Sequence, residues 1–518
     1  MPPASTGQLG AWMVTGARGG INQTTGSGER AAAPRRSLSV IVVASWRRHQ
    51  DLLTNAGSLL ATTGVTSALG FVYWAFAARE FSQQDVGYSS AAVSAMGLLG
   101  TIGMLGLGTL LIGELPRRSP RAGLVSAALV ACGLGSLVLG LAFAIVAPHL
   151  SARFANMTGT PGRAALFTAG VVLTGVTLVF DQATIGLMRG GLQLWRNSVL
   201  SVAKMLVLAA VAVILHDRFG VGITLSWVVG IAVSLVLVAL RLRFTGTRVL
   251  RRPDWGVLRG LGRTAMAHNW LNLAIMLPTS LLPVLVTVIV SPSANAAFYI
   301  ATMITGFVFI VPSHLATVLF AVVAADPKVV ARKLRFALRL SYIIGLPGMV
   351  ALALGAHIML GLFGKSYSAD AALPMVLMAI GYPAAVPKAL YIAVCRADGR
   401  IARAAVVLTA CSTAELAVAA VGGMEGGLIG LSWALLAVKY AEALVTSPPV
   451  IRSAFGHGRH RRTESPAAGS RTEPAASSAQ TEVSERIQQE AGIAALRALG
   501  TGTGATARFP GSAEVFER

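Results

Sequence analysis

The chain has 518 residues, of which 54% are hydrophobic and only 12% are charged, about half the charged fraction of a typical soluble domain. This composition excludes a soluble globular protein and indicates a chain whose outer surface meets lipid. The formal net charge of +22 does not indicate a nucleic-acid-binding protein, because the basic residues stand in short loops between apolar segments.

The first 50 residues are rich in Gly, Ser, Ala and Arg, and they predict a disordered cytoplasmic segment. Apolar segments of about the length that crosses a membrane follow at near-regular intervals. We place twelve spans at 55–78, 86–112, 122–147, 164–187, 197–215, 220–240, 264–290, 296–323, 340–363, 371–395, 404–421 and 426–447. Helices are expected throughout, since unpaired backbone amides are too costly in lipid.

Basic residues are concentrated in alternate loops between these spans. The loops on the poorer side hold Arg79, Arg153, Arg163, Arg218 and Lys365. Because the loops richer in Lys and Arg stay in the cytoplasm, this asymmetry places both termini there and predicts a multi-pass protein of the cytoplasmic membrane.

A faint internal repeat divides the chain. The span–elbow–span segment at 78–111 has a counterpart at 290–319, and Tyr88 falls opposite Tyr299. Six spans separate the copies, which predicts an all-α protein with two six-helix lobes related by a pseudo-twofold axis along the membrane normal. The resulting segments are 1–50 (disordered), 51–243 (N-lobe), 244–263 (basic cytoplasmic linker), 264–450 (C-lobe) and 451–518 (disordered cytoplasmic tail).

Glycines recur at every third residue of the second span. They are Gly97, Gly100, Gly103 and Gly106. This spacing predicts one helix face on which the backbone of another helix can approach closely.

Ionisable residues inside spans are functional candidates, because lipid makes them costly. Glu415 has no basic residue within one helical turn, so it faces a cavity, is protonated, or forms a structural hydrogen bond to another helix. Lys439 and Glu442 are three residues apart on the last span, and they are expected to neutralise each other.

The other candidates are polar residues in or at the ends of spans: Asp181, Arg189, Lys204, His268, Asn272, His314 and Lys388. Asp181 and Arg189 either pair with each other or line an inward opening. Lys204 and Lys388 either contact a substrate or extend to the membrane interface. His268 carries a proton or lies at the headgroup level.

The sequence lacks the motifs of nucleotide-binding, zinc-hydrolase and serine-hydrolase sites, and the external loops are short. We therefore expect no enzyme, no cofactor and no metal site. Without a nucleotide site, any energy that the protein uses would come from a gradient.

Two motifs resemble those of a known family. The elbow AREFSQQDVGY at 78–88 and the run LFGKSYSADAALPMVLMAIGYP at 362–383 are similar to segments of the polysaccharide flippases, which handle O-antigen or teichoic-acid type units. These flippases belong to the multidrug/oligosaccharidyl-lipid/polysaccharide (MOP) exporter superfamily. The resemblance covers about residues 51–450 and includes the Arg-x-x-Gly-Arg stretch at 396–400.

The resemblance implies a flippase that moves polyprenyl-diphosphate-linked oligosaccharides by alternating access for cell-surface polysaccharide biosynthesis. It implies H⁺ or Na⁺ coupling, and polysaccharide-assembly enzymes as partners. By position, the cations that would hold the diphosphate are Arg79, Arg189, Lys204 and Lys388. The alternatives are a multidrug/cation antiporter of the same superfamily, which would favour a carboxylate in the first span, and a membrane enzyme of glycan assembly.

Overall fold

The computed structural model describes residues 64–117, 122–214, 221–245, 252–325 and 330–455, and within these ranges the chain is helical with no strand. The predicted N-terminal segment, nearly all of the tail, part of the basic linker, Arg218 and the side chain of His268 lie outside the described residues.

Fourteen α-helices follow one another in the described ranges. They are α1 (64–80), α2 (Gln83–Gly103), α3 (Leu107–Glu114), α4 (Ala122–Leu150), α5 (Ala152–Thr158), α6 (Pro161–Gly186), α7 (Gly190–Ile214), α8 (Gly222–Phe244), α9 (Trp255–Ile289), α10 (Pro292–Ala325), α11 (Val330–Gly361), α12 (Lys365–Ile380), α13 (Tyr382–Ala397) and α14 (Ile401–Phe455). The predicted all-α membrane fold is confirmed.

Nine helices of the described ranges are long and apolar enough to cross a membrane, and the pair α12 and α13, bent by 50°, makes a tenth if it is counted as one span. The bend lies between Ile380 and Tyr382, next to Pro383 near the start of α13. The two further spans that we predict correspond to α1 and to the second part of α14. The total of twelve and the pseudo-twofold axis stay predictions.

The long helix α14 is a hairpin. Gly426 and Gly427 interrupt it, and Gly427 has φ 57°. A straight helix would separate Glu415 from Lys439 by about 36 Å, yet their Oε1 and Nζ atoms lie 2.9 Å apart. The chain therefore reverses at the two glycines, as the boundary between the last two predicted spans requires.

The predicted second span is also broken. Gly106 has φ 75° at the start of α3, and the preceding Leu105 has φ 51°, a conformation in which non-glycine residues are uncommon. We predicted one continuous helix here with Gly106 on its packing face. That prediction is wrong, because α2 ends at Gly103 and Gly106 is the left-handed N-cap of α3.

Two of the four glycines do allow close helix packing. A Cβ at Gly100 would lie 3.0 Å from the backbone nitrogen of Gly175 on α6, and a Cβ at Gly103 would collide with Ser136 on α4. Gly97 has open space around it. The predicted close approach is confirmed at Gly100 and Gly103.

Contacts between loops agree with the alternation of sides. Arg153 and Arg79, both predicted on the outer side, donate to carbonyls of other outer turns. On the opposite side, the Asp254 amide donates to the Gly123 carbonyl at 3.1 Å. These contacts join loops that we predict on the same side. Which side is cytoplasmic stays a prediction.

Candidate functional site: a central cavity between the two halves

A cavity of about 660 Å³ lies between the first and second halves of the chain, and we call it the central cavity. Helices α1, α6, α7 and α8 of the first half and α10 of the second half line it. Its polar and aromatic lining residues are Thr66, Ser67, Trp74, Asp181, Gln193, Asn197, Ser201, Lys204, Trp227, Thr302 and Phe307.

An aromatic cluster forms one end of the cavity. The rings of Trp74 and Tyr299 lie 4.8 Å apart between centroids, so this contact joins α1 to α10. Trp227 of α8 packs 5.6 Å from Tyr73, and the Tyr73 hydroxyl lies 2.7 Å from that of Ser226. These contacts lie at the end of the cavity that we predict is nearer the outer side.

Lys204 lies beneath this aromatic cluster. Its side chain is 6% exposed, and its Nζ lies 4.1 Å from the centroid of Trp227 and 4.7 Å from that of Tyr73. Among the described residues no carboxylate forms an ion pair with it, and the two ring faces contact its charge instead. Of our two alternatives for Lys204, extension to the membrane interface is therefore wrong, because its ammonium group lies against the aromatic cluster.

The position of Lys204 depends on a glycine of the next helix. A Cβ at Gly230 of α8 would lie 2.7 Å from the Lys204 Cβ and 3.0 Å from its Cα. Only glycine allows α8 to pack this closely against α7, and this packing brings the Trp227 ring into contact with the Lys204 ammonium group.

Asp181 forms an ion pair at the cavity wall. Arg196 donates from Nε to Oδ1 at 2.9 Å and from Nη2 to Oδ2 at 2.7 Å, and Asn197 contacts the same carboxylate. Arg196 is 1% exposed, whereas the Asp181 side chain is 16% exposed. An Asp181–Arg189 pair, one of our two alternatives, is wrong, because Arg189 is exposed at the turn between α6 and α7 and Asp181 pairs with Arg196.

Sequence reasoning missed Arg196. We counted it as a loop residue, although α7 begins six residues earlier, at Gly190. The available signal was Asp181 itself, because a carboxylate inside a span needs a cation or a hydrogen-bond donor nearby.

A second charged cluster lies away from the lining of the central cavity. Lys388 Nζ is 2.9 Å from Glu442 and 3.5 Å from Glu415, and Lys439 Nζ is 2.9 Å from Glu415. We call these four residues the ion quartet. The expected Lys439–Glu442 pair is wrong, because the α14 hairpin and α13 supply other partners. Lys388 is likewise ion-paired and does not extend to the interface.

The remaining candidates lie elsewhere. Arg79 is at the outer side, Asn272 is half-buried on α9, and His314 is exposed on α10. Of the predicted site residues whose side chains are described, Asp181 and Lys204 line the central cavity and the others do not.

Four side chains join the two halves at the ends that we predict are the outer ones, and we call them the outer latch: Arg79, Gln83, Arg153 and Asn295. Arg153 donates to the Thr287 and Val288 carbonyls at 3.1 and 2.8 Å, and these belong to the last turn of α9. Such carbonyls have no partner within their own helix, so the guanidinium group caps α9.

The other latch contacts lie on the same side. Arg79 donates to the Leu362 carbonyl just beyond α11 at 2.8 Å, and Gln83 donates to Asp370 at 3.0 Å. Asn295 donates to the Gly87 carbonyl at 2.8 Å, where a Cβ on Gly87 would collide with the backbone of Pro292.

An apolar groove of about 570 Å³ lies beside the central cavity between α1 and α10. It is lined by Gly64, Ser67, Ala68, Phe71, Val72, Phe307 and Ile310. Ser67, Phe307 and Ile310 line both the groove and the cavity, so the two spaces adjoin. We call this groove the lateral groove.

No protein-family model matches the chain, and no curated protein matches its sequence. Solved structures do match it. An inward-facing multidrug resistance transporter of the MATE family has 15% identity and a TM-score of 0.56, over 76% of this chain and 98% of that one. The lipid II flippase MurJ in an inward closed conformation has 14% identity and a TM-score of 0.57, over 76% and 89%.

A MOP superfamily transporter from Pyrococcus furiosus has 11% identity and a TM-score of 0.51, over 78% of this chain and 96% of that one. At these identities the likeness establishes the fold. This chain is a multi-pass α-helical membrane protein with the fold of the MOP superfamily transporters.

Proposed function

We propose that the protein is a flippase that moves a polyprenyl-diphosphate-linked oligosaccharide across the cytoplasmic membrane, for the synthesis of a cell-surface polysaccharide. The observation that carries this proposal is the adjoining of the central cavity and the lateral groove. A lipid-linked sugar has a polar head and a long apolar tail. The central cavity offers a polar environment for the head, and the lateral groove offers an apolar one for the tail.

The lateral groove suits the tail. Val72 and Phe307 are large apolar lining residues with exposures of 50% and 43%, and a Cβ at Gly64 would meet no atom of the described residues within 4 Å. An apolar chain can therefore lie between α1 and α10 while it stays in contact with lipid. A substrate that is wholly water-soluble would not need this opening.

Lys204 suits the diphosphate. Its ammonium group has no anionic partner among the described residues, and the aromatic rings that hold it are neutral. An entering diphosphate would offer a far stronger charge-assisted contact than a ring face does. Anion binding would therefore draw the ammonium group from the rings towards the cavity.

Transport then follows alternating access. With the outer latch closed, the substrate enters the central cavity from the opposite side, which we predict is cytoplasmic. Release on the outer side requires the latch to open and the two halves to close around the opposite end. An H⁺ or Na⁺ gradient would drive this cycle without a catalytic step, and polysaccharide-assembly enzymes would receive the product.

A multidrug/cation antiporter is the second candidate, and Asp181 favours it. A carboxylate that lines the same cavity as Trp74 and Trp227 is a suitable setting for an organic cation. Its two oxygens already accept from Arg196, however, so a cation would have to compete with a buried guanidinium group.

The experiment is a flip assay in proteoliposomes with a fluorescent short-chain prenyl-diphospho-disaccharide. We expect Lys204→Met to lower the transport rate at least tenfold. Lys365→Met, which removes an exposed lysine from the outer side, is the control and should transport normally. Equal rates for Lys204→Met and the wild type would contradict the proposal, as would uptake of a cationic dye with no lipid transport.

A further inference from the structure

Helix α7 presents a polar stripe to the central cavity. Gln193, Asn197, Ser201 and Lys204 are spaced by four, four and three residues, and all four line the cavity. Because an α-helix rises 1.5 Å per residue, the stripe is about 16 Å long. We call it the α7 stripe.

The stripe changes in chemistry along its length. Two amides and a hydroxyl come first, and the ammonium group of Lys204 lies at the aromatic end of the cavity. Gln193 is one turn from the start of α7, at the end predicted to face the cytoplasm. A ligand that lies along the stripe therefore meets neutral polar groups at the end predicted to face the cytoplasm and the cation at the aromatic end.

Hydrogen-bonding capacity on the stripe is incompletely used at Gln193, whereas the Asn197 amide already accepts from Arg196 and donates to the Gln193 carbonyl. The Gln193 Oε1 atom is buried and has no hydrogen-bond partner among the described residues, and neither has Nη1 of Arg196, one turn further on. Buried polar atoms without a partner are costly, and native proteins rarely keep them without a reason. Because Gln193 lines the cavity, rotation of its amide would expose Oε1 to a ligand with hydroxyl donors.

We infer that the α7 stripe binds the uncharged, hydroxyl-rich head of the substrate, with the anionic group at Lys204 and the sugar extending towards Gln193. This inference rests on the proposed function and adds to it the orientation of the substrate and the residues that select its sugar. Amide side chains both donate and accept, as sugar hydroxyls do, so they suit this class of ligand.

An organic cation would not use the stripe in this way. Asp181 is the carboxylate that the described lining provides, and Arg196 and Asn197 already occupy it. Sites built from amides and hydroxyls reject analogues that lack the matching hydroxyl, because their polar groups are then left unpaired. The stripe therefore predicts that the protein distinguishes substrates by their sugar and not by their lipid.

The test measures binding to the purified full-length protein by the fluorescence of the cavity tryptophans Trp74 and Trp227. The probes are farnesyl diphosphate and farnesyl diphosphate that carries a disaccharide. Gln193→Leu removes the unpaired oxygen, and Ser201→Ala is a second, smaller change on the stripe. The matched control is Gln182→Leu, because Gln182 of α6 lies near Gly108 and outside the cavity lining.

We expect Gln193→Leu and Ser201→Ala to weaken binding of the disaccharide probe about tenfold and to leave farnesyl diphosphate unchanged. Lys204→Met should weaken both probes, and Gln182→Leu neither. Equal loss for both probes in the stripe variants, or no loss for either, would overturn the assignment while the proposed function stands. Failure of the wild type to bind either probe would instead overturn the proposed function.

Discussion

Arg153 offers the sharpest test of the outer latch. Its guanidinium group donates to two carbonyls at the end of α9, which otherwise lack partners within their helix. Hydrogen bonds to a charged group contribute about 1.5–3 kcal/mol each. Because Arg153 is half-buried, water replaces part of that contribution when the latch opens, and we take about 2 kcal/mol for both bonds together. Arg153→Met should therefore raise the ratio of outward-open to latched molecules about 30-fold.

The assay is a distance measurement between spin labels at Gly162 and Ala369, exposed positions at the outer ends of the two halves. The native cysteines are buried and are replaced by alanine. Arg163→Met is the matched control, because Arg163 also donates to a backbone carbonyl, that of Asn156, but within its own half. We expect longer distances in Arg153→Met alone. The reasoning is refuted if the distances in Arg153→Met equal those of the wild type, or if Arg163→Met lengthens them equally.

Two further predictions concern stability, measured by thermal unfolding in one detergent. Glu415→Gln should destabilise the protein by about 2 kcal/mol, below the 3–5 kcal/mol typical of a broken buried pair, because Lys439 is 26% exposed. Adding Lys439→Met to that variant should recover part of the loss, and no recovery would argue against the ion pair. Gly103→Ala should cost about 1–3 kcal/mol by forcing α2 away from Ser136. Gly97→Ala meets open space and should cost nothing, so equal losses for both alanines would contradict the packing described.

The positions of the helices were largely predictable from the sequence, because hydrophobicity over some twenty residues is a local property. The break at Gly106 was not predictable, because glycine at regular spacing serves packing faces and helix ends alike. The backbone of Gly106 takes the left-handed conformation, whereas Gly103 three residues earlier packs against α4. Only the position of α4 distinguishes these two uses.

Charged partners were the least predictable part of the candidate site. Lys204 was identified because it stands inside a span, and the structure places it in the cavity lining. Local spacing suggested pairs such as Lys439 with Glu442, but the ion quartet joins residues as far as 54 positions apart. Such pairings depend on how α13 packs against α14. In the same way, the Asp181–Arg196 pair depends on how α7 folds back on α6.

The glycine break in α14 also bears on how the chain enters the membrane during synthesis. A carboxylate at the centre of a helix costs about 2.5–3.5 kcal/mol when that helix enters the bilayer by itself. The nearest partner of Glu415 is Lys439, which the ribosome adds 24 residues later. The two helical parts of the α14 hairpin, before and after Gly426 and Gly427, would then leave the translocon together as a pair. The turn at these glycines would form before either part meets lipid.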